Sequence, residues 1–408
     1  VGVGDGLPRR RACRDGPLKA AELATNQSDL AFFGYKIGHI GLLWLYLDTD
    51  MAMLPSNPPE FSPRMLRLLA RIEEFRGAWR ATAAIPPHRL TSLRHIATIE
   101  SVGSSTRIEG SALTDTEVEA LLRGIGARRP TTRDEQEVAG YAQVVDLVIN
   151  AHASIPLGEN HIRQLHRDLL RHSEKDEHHR GNYKSASNSV VALDTHGRQV
   201  GVIFETATPF ETPRLMNELI DWTNAALDDP DTHPLVTIGV FTVVFLAIHP
   251  FQDGNGRLSR ILTTLLLLRT GYSFVPYSSL EAVIERTKSE YYLALRRTQS
   301  TLRTPTQDWQ PWLEYFLGAM AEQVAQLERR LAREDLLLGT LPSLSEAILQ
   351  HARERARITI GDMIRLTGAK RPTLKLHLGK LVERGALLRH GTGKGTYYTP
   401  TAPPVGRD

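Results

Sequence analysis

The sequence predicts a mainly α-helical protein: a helical core interrupted by one β-hairpin, then a small helix-and-hairpin module towards the C-terminal end. Three observations carry that expectation. From Phe61 to Arg333, apolar residues recur at spacings of three and four, the period of a buried helical stripe. Within that span, Gly181–Glu205 breaks the period with two β-rich clusters, Val190-Val191-Ala192-Leu193 and Val200-Gly201-Val202-Ile203-Phe204. Near Leu341-Pro342 the pattern changes to short helices followed by a glycine-rich hairpin.

Residues 1–58 read as an N-terminal extension. Arg9–Arg11 precede an apolar segment, Leu30–Leu47, which invites a signal-peptide or membrane reading. Lys36 and His39 interrupt that segment and no small-residue cleavage pattern follows it, so a frayed extension or a misplaced start at Met51 or Met53 is the simpler expectation. Residues 59–160 form a helical region. Met65, Leu68, Leu69, Ile72 and Phe75 mark one buried stripe, and Leu93, Ile96, Ala97 and Ile99 a second. Asp115–Leu122 and Glu135–Ile149 read as further helices. Residues 161–335 form the central core, introduced by a helix over Asn160–His172. The hairpin follows, with Thr195-His196-Gly197 as its turn, and then helices over Pro213–Leu227, Leu235–Ile248, Gly256–Thr270 and Lys288–Thr301. Trp309–Arg333 holds one or two more. In the module, residues 341–400, the helices are Leu344–Arg355, Ile360–Leu366 and Pro372–Arg384, stopped by Gly385 and followed by a hairpin over Leu387–Tyr398.

The chain has 408 residues, 41% hydrophobic and 23% charged, ordinary for a soluble globular protein of two or three domains. A net charge of +3 implies no special partner by itself. The single cysteine, Cys13, excludes an intrachain disulfide and a cysteine-based metal site, and a reducing, cytoplasmic setting is the simplest expectation. No membrane partner is expected.

The chemistry is concentrated in residues 249–260, His-Pro-Phe-Gln-Asp-Gly-Asn-Gly-Arg-Leu-Ser-Arg. Pro250 disfavours α conformation at His249, so the apolar helix before it stops there and leaves the imidazole facing a loop. Gly254-Asn255-Gly256 permits several backbone N–H groups to point into one concavity, and the helix opening near Gly256 adds positive potential. Arg257 and Arg260 lie three apart on one helix face and suit phosphate oxygens. Asp253 is the natural Mg²⁺ contact, because magnesium takes few carboxylates beside phosphate and water. A neutral His249 here would take a proton from an alcohol attacking phosphorus. A lone histidine or Gly-Asn-Gly turn would be read as structural; a turn has no need of the whole set.

This stretch resembles the Fic family signature, His-Pro-Phe-x-Asp/Glu-Gly-Asn-Gly-Arg-x-x-Arg, at every fixed position, and the wider similarity runs from about Phe61 to Arg333. The resemblance implies a Fic helical core with a β-hairpin flap, and transfer of AMP from ATP to a hydroxyl side chain of a target protein. It implies His249 as base and Asp253 as the Mg²⁺ contact. It places Gly254, Asn255 and Gly256 in the anion hole, within an ATP-binding run that continues through Arg257, Leu258, Ser259 and Arg260. Ser105-Thr106-Arg107-Ile108-Glu109-Gly110 is by itself a common helix-end pattern. Beside the Fic motif it resembles the inhibitory Ser/Thr-x-x-x-Glu-Gly/Asn pattern of members with an N-terminal inhibitory helix. Glu109 would then pair with Arg260, about 2.8 Å apart at best, and take that arginine from the γ-phosphate.

Val190 and Val191 correspond in order to the flap, whose edge would align a target segment by β-augmentation. Gly181-Asn182-Tyr183-Lys184 departs from relatives that carry Arg at the last position. Tyr291 and Tyr292 stand where relatives carry a tyrosine pair near adenine, although helical aromatic pairs are as often core, and Thr287 replaces an upstream asparagine. The module carries eleven Lys and Arg against four acids, a balance of +7, and resembles a winged helix-turn-helix. Thr373, Lys375, His377 and Lys380 would face a DNA groove, with Lys394 on the wing; a protein-docking or dimerisation role is the alternative. Other whole-protein readings are AMP removal, transfer of another phosphate-containing group, and a DNA-binding regulator whose Fic domain senses nucleotide. A homodimer is implied only by the resemblance.

Overall fold

The computed structural model describes residues 53–55, 59–81, 85, 87–124, 129–188, 190–193, 199–204, 206–338 and 343–401. The expected N-terminal extension therefore lies outside the described residues except at its end. There Met53 is buried and Leu54 packs beside it, so the helical core takes in residues that patterning set aside. The turn at Thr195-His196-Gly197 also lies outside the described residues.

Four helices precede the central core: α1 (Pro63–Ala81), α2 (Pro87–Ile108), α3 (Asp115–Gly124) and α4 (Arg133–Ala151). Of the expected stripes, Met65, Leu69, Ile72, Phe75, Leu93 and Ile99 are buried in one continuous core; Ala97 is also buried, and Leu68 and Ile96 are half-buried. α4 starts from a capping box in which the Thr132 hydroxyl and the Glu135 carboxylate satisfy each other's backbone amides. α5 (Glu159–Leu169) then crosses α4 at Gly140, where a Cβ would overlap the Leu169 carbonyl. That bare position lets α5 lie close enough to put His166 beneath the motif loop.

The hairpin pairs β1 (Val190–Leu193) with β2 (Gln199–Phe204) in antiparallel register, Val191 opposite Val202. α6 (Thr212–Asp228), α7 (Pro234–Ile248) and α8 (Asn255–Arg269) follow. α7 is apolar around its whole circumference, and every residue from Leu235 to Ile248 is buried, which makes it the central post of the fold. Trp312 donates its indole N–H to the Gly239 carbonyl at 2.7 Å, fixing α11 (Gln310–Leu338) against that post. Trp309–Arg333 is thus one helix, not two. Between α8 and α11 lie α9 (Leu280–Arg286) and α10 (Lys288–Gln299). Periodicity did not foresee α9, because seven residues are too few to show a stripe; its Ser279 cap, accepting from Ala282 N, is the local signal.

The module has a separate hydrophobic core built on Ile348, Met363, Leu374, Leu378 and Leu381. Its elements are α12 (Ser343–Arg355), β3 (Ile358–Thr359), α13 (Ile360–Thr367), α14 (Arg371–Glu383), β4 (Leu387–His390) and β5 (Tyr397–Pro400). The strands form an antiparallel sheet in the order β3-β5-β4, so the expected hairpin is joined by a third, two-residue strand. No helix among the described residues is long and apolar enough to cross a membrane.

Candidate active site

α7 ends as expected at the residue before Pro250. His249 N–H closes the last helical bond on Phe245 O at 2.9 Å, and His249 itself takes the left-handed conformation, φ 53°. A non-glycine residue in that region carries strain of about 1 kcal/mol or more, a cost that tends to be retained where a side chain must be aimed. The ring Nδ1 faces Leu246 O at 3.3 Å. A carbonyl only accepts, so Nδ1 carries the proton and Nε2 is left with a free lone pair. Burial, helped by the Lys184 cation, lowers the His249 pKa to about 4, so the ring is neutral at physiological pH.

The loop after His249 is held from below. Phe251 is fully buried and stacks on the His166 ring, centroids 3.8 Å apart. The Asn255 amide accepts from Phe251 N at 2.9 Å and donates to Phe251 O at 2.7 Å, which closes the loop on itself. Gly254, φ +79°, makes the turn into α8. Leu258 N bonds Gly254 O, which leaves the amides of Asn255, Gly256 and Arg257 as the helix's unspent donors. This corrects two expectations within the run: Leu258 is a core residue, and the Ser259 hydroxyl donates to Gly256 O, so neither side chain is placed to meet a ligand. Asn255 serves through its backbone, its side chain being spent on the loop.

The charged groups are paired. Asp253 Oδ2 meets Lys175 Nζ at 2.8 Å, and its Oδ1 accepts from Gly254 N at 2.6 Å and faces Arg257 Nη2 at 3.3 Å. Burial opposes ionisation of Asp253, but Lys175 and Arg257 prevail and hold its pKa at about 2. Arg257 is buried with Glu137 3.2 Å from its Nη1. The two motif arginines therefore share a helix face but engage different acids.

Arg260 is addressed from α2. It donates from Nε to Ser105 Oγ at 2.8 Å, and from Nη2 to Ser105 O at 3.0 Å and to Glu109 Oε1 at 2.8 Å. Burial opposes charge on Glu109, but Arg260, followed by Arg257 and His249, brings its pKa below the ordinary glutamate value. The ionised carboxylate lies over Gly256, where an added Cβ would overlap Oε1. A carboxylate of the chain itself thus sits at a helix N-terminus, where the partial positive charge favours an anion.

Three further positions pack around the site: His166 and Lys175 carry no motif signal, and Lys184 stands out in the sequence only as a departure from relatives. His166, fully buried, sits under the loop on the stripe of Ile162, Leu165 and Leu169; an imidazole on an apolar stripe was the available signal. Lys184 is buried and donates to Asn188 Oδ1, Thr206 Oγ1 and Ile248 O, at 2.9, 3.0 and 2.9 Å. It ties both feet of the hairpin to the carbonyl just before His249. Lys175 lies on a loop whose pairing with Asp253 has no periodic signature. Tyr291 is buried among Trp312 and Tyr315, as a core residue would be, whereas Tyr292 is about two-fifths exposed. Val190 and Val191 lie in β1, their side chains outside those described.

In the module, Thr373, Lys375 and Lys380 are exposed on α14. His377 is half-buried, its Nδ1 2.6 Å from Ser345 Oγ on α12. The Lys394 backbone lies in a short 3₁₀ turn, and its side chain falls outside those described.

The helical core thus brings a neutral histidine, the N-terminus of α8 and a paired aspartate and arginine into one corner. Residues 156–267 match the Fic/DOC family model, and the chain carries a Fic domain over that segment. A probable protein adenylyltransferase of Aquifex aeolicus is 31% identical over 100 residues, 24% of this chain and 28% of that protein. A protein adenylyltransferase Fic of Nematostella vectensis is 27% identical over 197 residues, 46% and 42% of the two chains. The matched segments thus span less than half the length of these relatives. Among solved structures, a Fic family protein from Desulfovibrio desulfuricans superposes with a TM-score of 0.59 at 25% identity, covering 87% of this chain and 100% of that one. A Fic domain-containing signaling protein from Bacteroides thetaiotaomicron shares the fold, with a TM-score of 0.53 at 24% identity over 63% and 96% of the chains.

Proposed function

We propose that the protein transfers AMP from ATP to a Tyr, Ser or Thr hydroxyl of a target protein and is held in check by Glu109. The observation that carries this reading is the aim of His249. Its Nδ1 is committed to Leu246 O, and Nε2 is left basic beside the N-terminus of α8. In the reaction, Nε2 takes the proton of the target hydroxyl as its oxygen attacks the α-phosphorus. The bond to the β-phosphate breaks and pyrophosphate leaves. The free amides at Asn255, Gly256 and Arg257 hold phosphate oxygens, and Arg260, once freed from Glu109, holds the terminal phosphate. No group of three or more metal-type side chains is gathered among the described residues. The ionised Asp253 carboxylate suits a magnesium ion that takes its other ligands from phosphate and water. When bound, that ion would neutralise charge on the departing pyrophosphate. The β1–β2 hairpin, anchored at its feet by Lys184, would present a strand edge to the target.

Purified protein incubated with labelled ATP and Mg²⁺ tests the reading. Glu109→Gly is expected to raise AMP incorporation at least tenfold, and adding His249→Ala to abolish it. Incorporation unchanged by Glu109→Gly would remove the brake, and incorporation that survives His249→Ala would remove the base. Loss of AMP from a premodified target, dependent on Glu109, would favour the reverse reaction instead. For the module we propose a winged helix whose α14 meets nucleic acid through Thr373, Lys375 and Lys380, on the strength of its local charge. A gel shift at low salt tests this, and no shift there would leave it a protein-docking element.

A further inference from the structure

We propose that His166 is a positioning residue for the anion site: it fixes which way the Asp253–Gly254 peptide faces. The proposal rests on the phosphate-binding part of the reading above. Two ring contacts define the side chain. Gly181 N donates to Nδ1 at 2.9 Å, so Nδ1 is unprotonated. The proton therefore sits on Nε2, which donates to the Asp253 carbonyl at 2.9 Å. The ring is fully buried, stacked on Phe251, and neutral, its pKa brought to about 4 chiefly by burial.

The consequence follows from peptide geometry. In a trans peptide the carbonyl of one residue and the N–H of the next point to opposite sides. A carbonyl drawn down onto His166 therefore turns the Gly254 N–H up, and it meets Asp253 Oδ1 on that side at 2.6 Å. Gly254, with positive φ, offers little resistance to rotation of that peptide. Without the Nε2 donor, the plane is free to turn over. It would then break the Gly254 N–H bond to Asp253 Oδ1 and turn a carbonyl oxygen towards that carboxylate and the neighbouring anion site, and that oxygen would repel phosphate. His166 never touches the nucleotide in this scheme; it acts through the backbone.

Three substitutions in the Glu109→Gly background separate the ring's two roles. His166→Phe keeps the stack on Phe251 and loses both hydrogen bonds. His166→Gln keeps a donor near the Nε2 position, and His166→Asn an acceptor near Nδ1. Binding of ATP and, separately, of inorganic pyrophosphate is measured by calorimetry, with urea unfolding to confirm a folded protein. Stranding a buried carbonyl and turning its oxygen towards the anion site predicts roughly ten- to hundredfold weaker binding of both ligands to His166→Phe. His166→Gln is expected to recover most of it and His166→Asn little. Equal affinity in His166→Phe, or recovery by Asn as complete as by Gln, would overturn the assignment. If His166→Phe does not fold, the Gln and Asn comparison decides alone. A parent that binds pyrophosphate in this His166-dependent way but transfers no AMP would sink the proposed activity and leave this inference standing. A parent that binds neither ligand would overturn both.

Discussion

His249 and His166 share a property that sets an acid limit on the protein. Both are held near pKa 4 in the folded chain, against about 6.5 for an exposed imidazole. Between those values the unfolded chain binds protons that the native chain does not, so stability rises with pH across that window and is lost as pH falls through it. Urea midpoints are expected to drop steadily from pH 6.5 towards 4, and less steeply in His166→Gln. A flat profile would mean that these rings titrate normally. The same low value keeps His249 unprotonated, so AMP transfer by Glu109→Gly should not fall between pH 8 and 6 through titration of this residue. At this scale the sequence was legible where function needs a rare combination within twelve neighbours. It was not legible for His166, Lys175 and Lys184, whose partners are set by crossing helices and loop closure, nor for Tyr291 and His377, whose burial depends on which side of a helix meets its neighbour.

Glu109 does not hold itself in place; the end of α2 is clamped around it. Arg107 makes a two-pronged contact with Glu285 on α9, at 2.6 and 3.0 Å, and Lys288 caps the Ile108 carbonyl at 2.8 Å. The paired guanidinium–carboxylate geometry is stronger and more directional than a single contact. Glu285→Gln should therefore loosen the last turn of α2. AMP incorporation is expected to rise a few-fold, short of Glu109→Gly, with faster amide exchange over residues 105–111. Incorporation identical to the parent would show that Arg260 alone seats the helix. Longer elements such as α2, α7 and α8 were readable because their stripes repeat over several turns. α9, which supplies half of this clamp, is too short to announce itself, and β3 is only a two-residue addition to a sheet already drawn.

Across the molecule, the described residues form two hydrophobic cores with no shared member, one running from Met53 to Leu327 and one from Ile348 to Tyr398. Separate cores unfold separately when little else joins them. Calorimetry is expected to resolve two transitions, with ATP in the Glu109→Gly protein raising only the one that belongs to the larger core. A single transition, or a shift of both, would show coupling between catalytic core and module. The order of parts along the chain has a further consequence. Glu109 precedes His249 and Arg260 by well over a hundred residues, and synthesis runs from the N-terminal end. A nascent polypeptide leaving the ribosome therefore carries the carboxylate before it carries the corner that the carboxylate fills. On the proposed reading, the brake is therefore synthesised before the site it would block.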